Sequence, residues 1–156
     1  MEGRRKMDNT MIRLWIHIFF STKDCMPLIK ESIEKQLYFK IKIKITEEYQ
    51  SHVKNINGTE NHVHILFSLN PSFRLTDIMK NIKGETSHWI NQNKFLDAKF
   101  SWQKSYNAYS VSESKLEEVN RYISNQKKIH EKISFYDERE LFLKKIEHYN
   151  NSDKTV

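Results

Sequence analysis

Along residues 62–69, Val63, Ile65, Phe67 and Leu69 alternate with a second set of positions that begins with His62 and His64. A period of two marks a β-strand whose successive side chains point to opposite faces. The odd-numbered face belongs in a core, and the two histidines share the other. Residues 12–20 read as an earlier, mostly buried strand, closed by the turn-like segment 21–27. Residues 28–49 lack Gly and Pro and carry Ile33, Leu37, Ile41, Ile45 and Tyr49 at four-residue spacing, a helical stripe. Within it, Lys40-Ile41-Lys42-Ile43-Lys44-Ile45 alternates like a strand, and the unbroken length around it favours helix. Residues 52–57 form a short strand, and Asn57-Gly58 signals a hairpin turn before the His62 strand.

Past Pro71-Ser72, the residues Leu75, Ile78, Met79, Ile82, Trp89 and Ile90 form a second helical stripe. Residues 100–111 are aromatic-rich and extended. Ser114 with Glu117 three residues on has the form of a capping box, opening a helix with Leu116, Val119 and Ile123 on its apolar face. A last amphipathic helix over residues 137–149 carries Leu141, Phe142 and Ile146. The order strand–helix–strand–strand–helix–strand is the split βαβ, ferredoxin-like plan. It is an α+β fold with an antiparallel four-stranded sheet, helices on one face and extra C-terminal helices. In that plan the His62 strand is central, and its histidine face is open unless something covers it. The expected organisation is a flexible leader over 1–11, one domain over 12–150 and a disordered tail over 151–156.

At 156 residues, 38% of them hydrophobic and 12% aromatic, the chain suits one domain with a real core and is not disordered in composition. The longest apolar run, residues 14–20, is interrupted by His17 and is far too short to span a bilayer. The basic start runs into Asp8-Asn9-Thr10 rather than an apolar segment, so no signal peptide is expected and a cytoplasmic protein is the simplest account. Cys25 is the one cysteine, which removes disulfide frameworks and cysteine metal clusters and makes structural zinc a weak reading. A formal charge of +6 points toward a polyanion, weakly on its own.

Two imidazoles on one strand face suit a divalent metal but leave the site incomplete, and two exposed surface histidines would look the same. His17, His52, His88, His130 and His148 have no comparable spacing and read as surface or structural. Tyr122 and Gln126, four apart on the capped helix, project from the same side. Tyrosine can act as a nucleophile, and a glutamine carbonyl suits a hard cation.

Together and in this order, these residues resemble the single-tyrosine HUH transposases of small bacterial insertion sequences, a group that includes the REP-associated tyrosine transposases. The resemblance covers roughly residues 12–130. It runs through Trp15-Ile16-His17-Ile18-Phe19-Phe20-Ser21-Thr22-Lys23, Asn61-His62-Val63-His64-Ile65-Leu66-Phe67-Ser68 and Ile78-Met79-Lys80-Asn81-Ile82-Lys83-Gly84. It continues through Trp102-Gln103, Tyr109-Ser110-Val111-Ser112 and Tyr122-Ile123-Ser124-Asn125-Gln126. One departure is Glu60-Asn61, where that family often has Pro-Asp. The resemblance implies that His62, His64 and Gln126 hold Mg²⁺ or Mn²⁺ and that Tyr122 is the nucleophile. It implies a metal-dependent nickase and strand transferase, acting through a 5′-phosphotyrosine on single-stranded DNA with hairpins near element ends. It further implies a homodimer in which one subunit's tyrosine helix can complete the other's histidine site. Lys80, Lys83, Arg121, Lys127 and Lys128 would contact phosphates, and Trp102, Tyr106 and Tyr109 would stack on bases. The alternative is a non-catalytic nucleic-acid-binding regulator derived from such a transposase. No general base is legible.

Overall fold

The structure, a computed structural model, describes residues 10–152, with side chains through residue 145. Four strands, β1 (Trp15–Ser21), β2 (His52–Thr59), β3 (His62–Ser68) and β4 (Asn107–Val111), form one sheet in the order β2-β3-β1-β4. All neighbours are antiparallel. Helices α1 (Glu31–Ile43) and α2 (Leu75–Gln92) make the crossovers, which is the ferredoxin-like plan with β1 and β3 in the centre. α3 (Leu116–Ser124), α4 (Gln126–Ile129) and α5 (Phe135–Ser152) follow β4.

The sheet separates two cores. Ile18 and Phe20 of β1 and Val63, Ile65 and Phe67 of β3 pack under α1 and α2, against Ile33, Leu37, Ile41, Ile78, Met79 and Ile82. Each such fully buried side chain contributes roughly 1.5–3 kcal/mol of transfer free energy. The strand-like alternation over residues 40–45 resolves as helix because Ile41 and Ile45 fill this core. α1 then continues as a π turn over Lys44–Glu48. On the opposite face Trp15 and Leu66 pack with Leu116 and Ile123, so α3 covers the side of β3 expected to lie open.

Several local expectations change. β1 begins at Trp15, and Met11, Ile12 and Leu14 are exposed. The hairpin turns at Glu60-Asn61, since β2 extends through Asn57 and Gly58 to Thr59. Gly58 has no positive φ; it is there for close approach, because a Cβ would stand 2.1 Å from the His62 backbone carbonyl oxygen. Gly58→Ala is therefore expected to destabilise the fold by about 2–3 kcal/mol as overpacking against backbone, seen as a lower urea midpoint. An unchanged midpoint would refute this reading of Gly58. Only Asn107–Val111 of the aromatic segment is strand, with an isolated bridge from Trp102 to Thr22.

The capping box at Ser114 does not form: residues Glu113–Lys115 make a 3-10 turn, and the Ser114 hydroxyl lies beside that of Ser112. A reciprocal box forms instead at Ser134 and Asp137. The Asp137 N–H donates to Ser134 Oγ and the Ser134 N–H donates to Asp137 Oδ2, both at 3.1 Å. It starts α5 two residues earlier than its sequence pattern and carries it to Ser152, into the expected tail. The rest of that tail, and residues 1–9 of the expected leader, lie outside the described residues. Among the described residues no helix is long and apolar enough to cross a membrane.

Candidate active site

β3 presents His62 and His64 on the face away from α1 and α2, and both are fully buried. What buries them is the C-terminal half of the chain. Asn57 of β2 donates through Nδ2 to the Ile123 carbonyl at 2.9 Å and to the Ser124 carbonyl at 3.3 Å, satisfying orphan carbonyls at the end of α3. The helix breaks at Asn125, and α4 begins at Gln126. Tyr122 and Gln126 thus do not share one continuous helix as expected, yet both side chains reach the histidines. Gln126 is fully buried with Oε1 3.0 Å from His62 Nε2. The Tyr122 ring centre lies 6.0 Å from that of His64.

Two residues absent from the expected site complete it. Glu138, 1% exposed, reaches in from the first turn of α5. It accepts hydrogen bonds from the Tyr122 hydroxyl, from Gln126 Nε2 at 3.0 Å and from His130 Nε2 at 2.8 Å. Its Oε1 is 3.3 Å from His64 Nε2, and its Oε2 is 3.6 Å from His62 Nε2. His130, expected to be surface or structural, stands 4.4 Å from His62 between ring centres. Candidate ligand atoms of His62, His64, His130 and Glu138 all lie within 4.8 Å of one another. No spacing signal pointed to Glu138, one of 20 acidic residues, at the start of an amphipathic helix.

Each central histidine is oriented by a neighbour. Asn61 Oδ1 accepts from His62 Nδ1 at 2.7 Å, and Thr59 Oγ1 donates to the same amide oxygen at 3.0 Å. The Thr22 N–H and hydroxyl both donate to the Asn61 carbonyl, at 2.8 and 3.2 Å, pinning the hairpin turn to the end of β1. Asn61 therefore leaves His62 Nε2 with its lone pair facing Gln126 Oε1. His17 of β1, 3% exposed, places Nε2 2.9 Å from His64 Nδ1. His64 Nε2 is buried without a well-directed hydrogen-bond partner.

Burial, then the neighbouring His64, lowers the pKa of His62 and of His17 to about 3, and burial lowers that of His64. These imidazoles are neutral, the form that ligates metals. Burial alone would raise the Glu138 carboxyl. Hydrogen bonds from His130 and Tyr122, with the adjoining His64 ring, outweigh it and hold the group well below the usual carboxylate range. Burial, and then the hydrogen bond and charge of Glu138, raise the Tyr122 phenol above its ordinary value. The same Glu138 contacts outweigh the effect of burial on His130 and raise it.

A divalent cation fits this donor set. Cis ligands of an octahedral ion at about 2.1 Å stand about 3 Å apart. The His62–Gln126 and His64–Glu138 donor pairs are separated by 3.0 and 3.3 Å. The orphaned, buried Nε2 of His64 faces the same point.

The expected nucleic-acid contacts are dispersed. Lys80 and Arg121 are exposed, as is Lys128. Lys83 donates to the carbonyls of Gln103, Lys104 and Ser105, which clamps the segment before β4. Lys127 is held by Glu34 at 2.7 Å, Asn57 Oδ1 at 3.1 Å and the Gly58 carbonyl at 3.3 Å. Trp102 is buried between Phe20 and Phe100 and donates to Thr86 Oγ1 at 2.9 Å, leaving no open face for a base. Tyr106 packs against the α1–α2 core, and Tyr109 stacks on Phe142 of α5.

An antiparallel split βαβ sheet with a tyrosine beside a two-histidine strand defines the class of protein. Residues 10–126 match the profile of the IS200-like transposases, and the chain belongs to that family. Its fold is similar to the crystal structure of a Deinococcus radiodurans R1 protein assigned as a transposase. That likeness has a TM-score of 0.60 and 21% identity over 78% of this chain and 97% of the other. It is also similar to a REP-associated tyrosine transposase bound to a REP hairpin, with a TM-score of 0.54 and 10% identity over 78% of this chain and 69% of that one. No curated protein matches the sequence.

Proposed function

We propose that the protein nicks and rejoins single-stranded DNA through a covalent 5′-phosphotyrosine on Tyr122, recognising hairpins near the ends of a mobile element. The observation that carries this reading is the convergence of the Tyr122 hydroxyl, His62, His64 and Gln126 on one buried point. The hairpin bound to the structurally similar REP-associated transposase supports the substrate class. His62, His64 and Gln126 would hold Mg²⁺ or Mn²⁺, with Glu138 beside them as a further oxygen donor. A bound divalent ion supplies positive charge to the scissile phosphate as negative charge develops there.

Tyr122 Oη attacks phosphorus, the P–O3′ bond breaks, and the 3′ oxygen leaves and takes up, through solvent, the one proton that Tyr122 gives up. The phenolic proton passes to the Glu138 carboxylate that already accepts it in a hydrogen bond. A second 3′-hydroxyl reverses the step, so rejoining needs no nucleotide. Burial and then Glu138 make the phenol a poorer acid, and a divalent cation held here would supply positive charge that offsets the carboxylate's part of that effect. The chain's own Tyr122 reaches its own histidines. A homodimer and a cytoplasmic location belong to the proposal. Because His62, His64 and Gln126 are fully buried, DNA reaches them only when α5 lifts.

That closure favours a second reading, a DNA-binding regulator without catalysis. Incubation with hairpin-bearing single-stranded DNA separates the two. Catalysis predicts a denaturant-resistant protein–DNA adduct with Mg²⁺ or Mn²⁺ and none with EDTA. Binding without an adduct under any metal condition would favour the regulator.

A further inference from the structure

His17 stands outside the residues that reach Gln126, Glu138 or Tyr122 by hydrogen bond, and one hydrogen-bond contact ties it to the site. In the antiparallel register Phe19 faces His64 and His17 faces Leu66, which makes His17 and His64 diagonal neighbours on the same sheet face. Their rings stack at 5.1 Å with 27° between planes, and His17 Nε2 lies 2.9 Å from His64 Nδ1. Phe142 of α5 and Phe19 of β1 close over the pair at 5.8 and 5.7 Å from the His17 ring.

Two neutral imidazoles joined nitrogen to nitrogen share one proton, and which ring carries it decides what the opposite nitrogens can do. When His64 donates from Nδ1, its Nε2 is bare and its lone pair, 3.3 Å from Glu138 Oε1, is free for a cation held between the two. When His17 donates from Nε2 instead, His64 carries its proton on Nε2 and is lost as a ligand. On β3 the companion histidine has the first arrangement built in, because Asn61 Oδ1 is an acceptor and His62 Nδ1 must donate to it at 2.7 Å.

We infer that His17 is a positioning residue that accepts the Nδ1 proton of His64, fixing the tautomer in which His64 Nε2 is free to bind a divalent cation. The inference rests on reading His64 as a metal ligand. His17 thus does for His64 what Asn61 does for His62, and each ligand histidine carries its own acceptor. Orienting acceptors of this kind typically change metal affinity by about 10–100-fold when removed. The requirement is for an acceptor at the position of His17 Nε2, and a glutamine amide oxygen reaches that position.

The test compares the wild-type protein with His17→Phe, His17→Gln and a His62→Ala/His64→Ala double variant, each checked for cooperative thermal unfolding. The first readout is the ¹⁵N NMR pattern of His64 and His17 in the Mg²⁺-loaded wild-type protein, which reports without any variant where the shared proton sits. The proton is expected on His64 Nδ1; a proton on His17 Nε2 overturns the inference. The second is Mn²⁺ affinity by titration calorimetry. His17→Phe, which keeps a ring but offers no acceptor, is expected to weaken binding about 10–100-fold. His17→Gln is expected to restore it to within a few-fold of wild type, a rescue that a purely structural role for the ring would not produce. Unchanged affinity in His17→Phe, with binding abolished in the double variant, overturns the role of His17 and leaves the metal site standing. Wild-type affinity no greater than that of the double variant overturns the metal site itself, and the inference with it.

Discussion

Tyr122→Phe is expected to eliminate the covalent protein–DNA adduct, a loss on the order of 10⁴-fold or more because no second nucleophile shares the step. The substitution removes one oxygen and keeps the ring in its place, 6.0 Å from His64 and 5.9 Å from Phe142 between ring centres. The hydroxyl's partner, Glu138, retains His130 at 2.8 Å and Gln126 at 3.0 Å, so its carboxylate is not left bare. The stability cost is therefore about 1–2 kcal/mol, the size of one hydrogen bond to a charged group. Mn²⁺ binding should persist, because none of His62, His64, Gln126 and Glu138 is altered, and DNA binding should persist as well. The measurement is a denaturing gel of protein with labelled hairpin DNA in Mn²⁺, beside calorimetric Mn²⁺ titration of the same preparation. An adduct in Tyr122→Phe of the same yield as wild type would remove Tyr122 from the chemistry.

The two halves of the chain differ in how far their roles could be read from sequence. In β3 the parity of Val63, Ile65 and Phe67 correctly sets the core face and puts His62 and His64 together on the other. Helical stripes of apolar residues likewise identify α1 and α2. Periodicity says that a helix has an apolar side but not which sheet face it will meet, so the covering of the histidines by α3 and α5 was not legible. Asn57-Gly58 has the composition of a turn, yet the asparagine amide is spent on α3 carbonyls and the glycine on strand–strand approach. Tyr122 and Gln126 were paired by their four-residue spacing and given their roles by a resemblance, while their geometry comes from a broken helix rather than an intact one. Glu138 and His130 belong to the site through tertiary contact across that break, which no local pattern records. His17 did leave a trace: it is the histidine that interrupts an otherwise apolar strand, and a polar group in that position must have a partner. The lysines show the opposite failure, since charge counts them as available while Lys83 and Lys127 are already held by the protein's own oxygens.

Phe142→Ala is expected to make the protein less stable and yet faster to form the adduct. α5 lies over the site through Glu138 and through Phe142, whose ring packs 5.1 Å from Phe19, 5.4 Å from Tyr109 and 5.8 Å from His17. Phe142 is half-buried, so truncation should cost roughly 2–3 kcal/mol, below the range for a fully buried phenylalanine. Nearly all of that loss falls on the contact between α5 and the sheet, and so on the closed state alone. With opening of α5 as the step that precedes DNA entry, the same free energy shifts the closed–open balance. At about 1.4 kcal/mol per decade it raises the rate of adduct formation by up to roughly 30–100-fold. The neighbouring Leu141, 52% exposed, provides the control: Leu141→Ala should alter neither rate nor stability appreciably. Single-turnover adduct formation on hairpin DNA in Mn²⁺, read beside thermal unfolding of each variant, checks both halves of the prediction. A folded Phe142→Ala protein that reacts at the wild-type rate or slower would mean that α5 does not gate the site. DNA would then have to reach His62 and His64 by a path that leaves this helix in place. Because those histidines have no exposed surface, α3 and α4, which cover the same face of β3, would have to move instead.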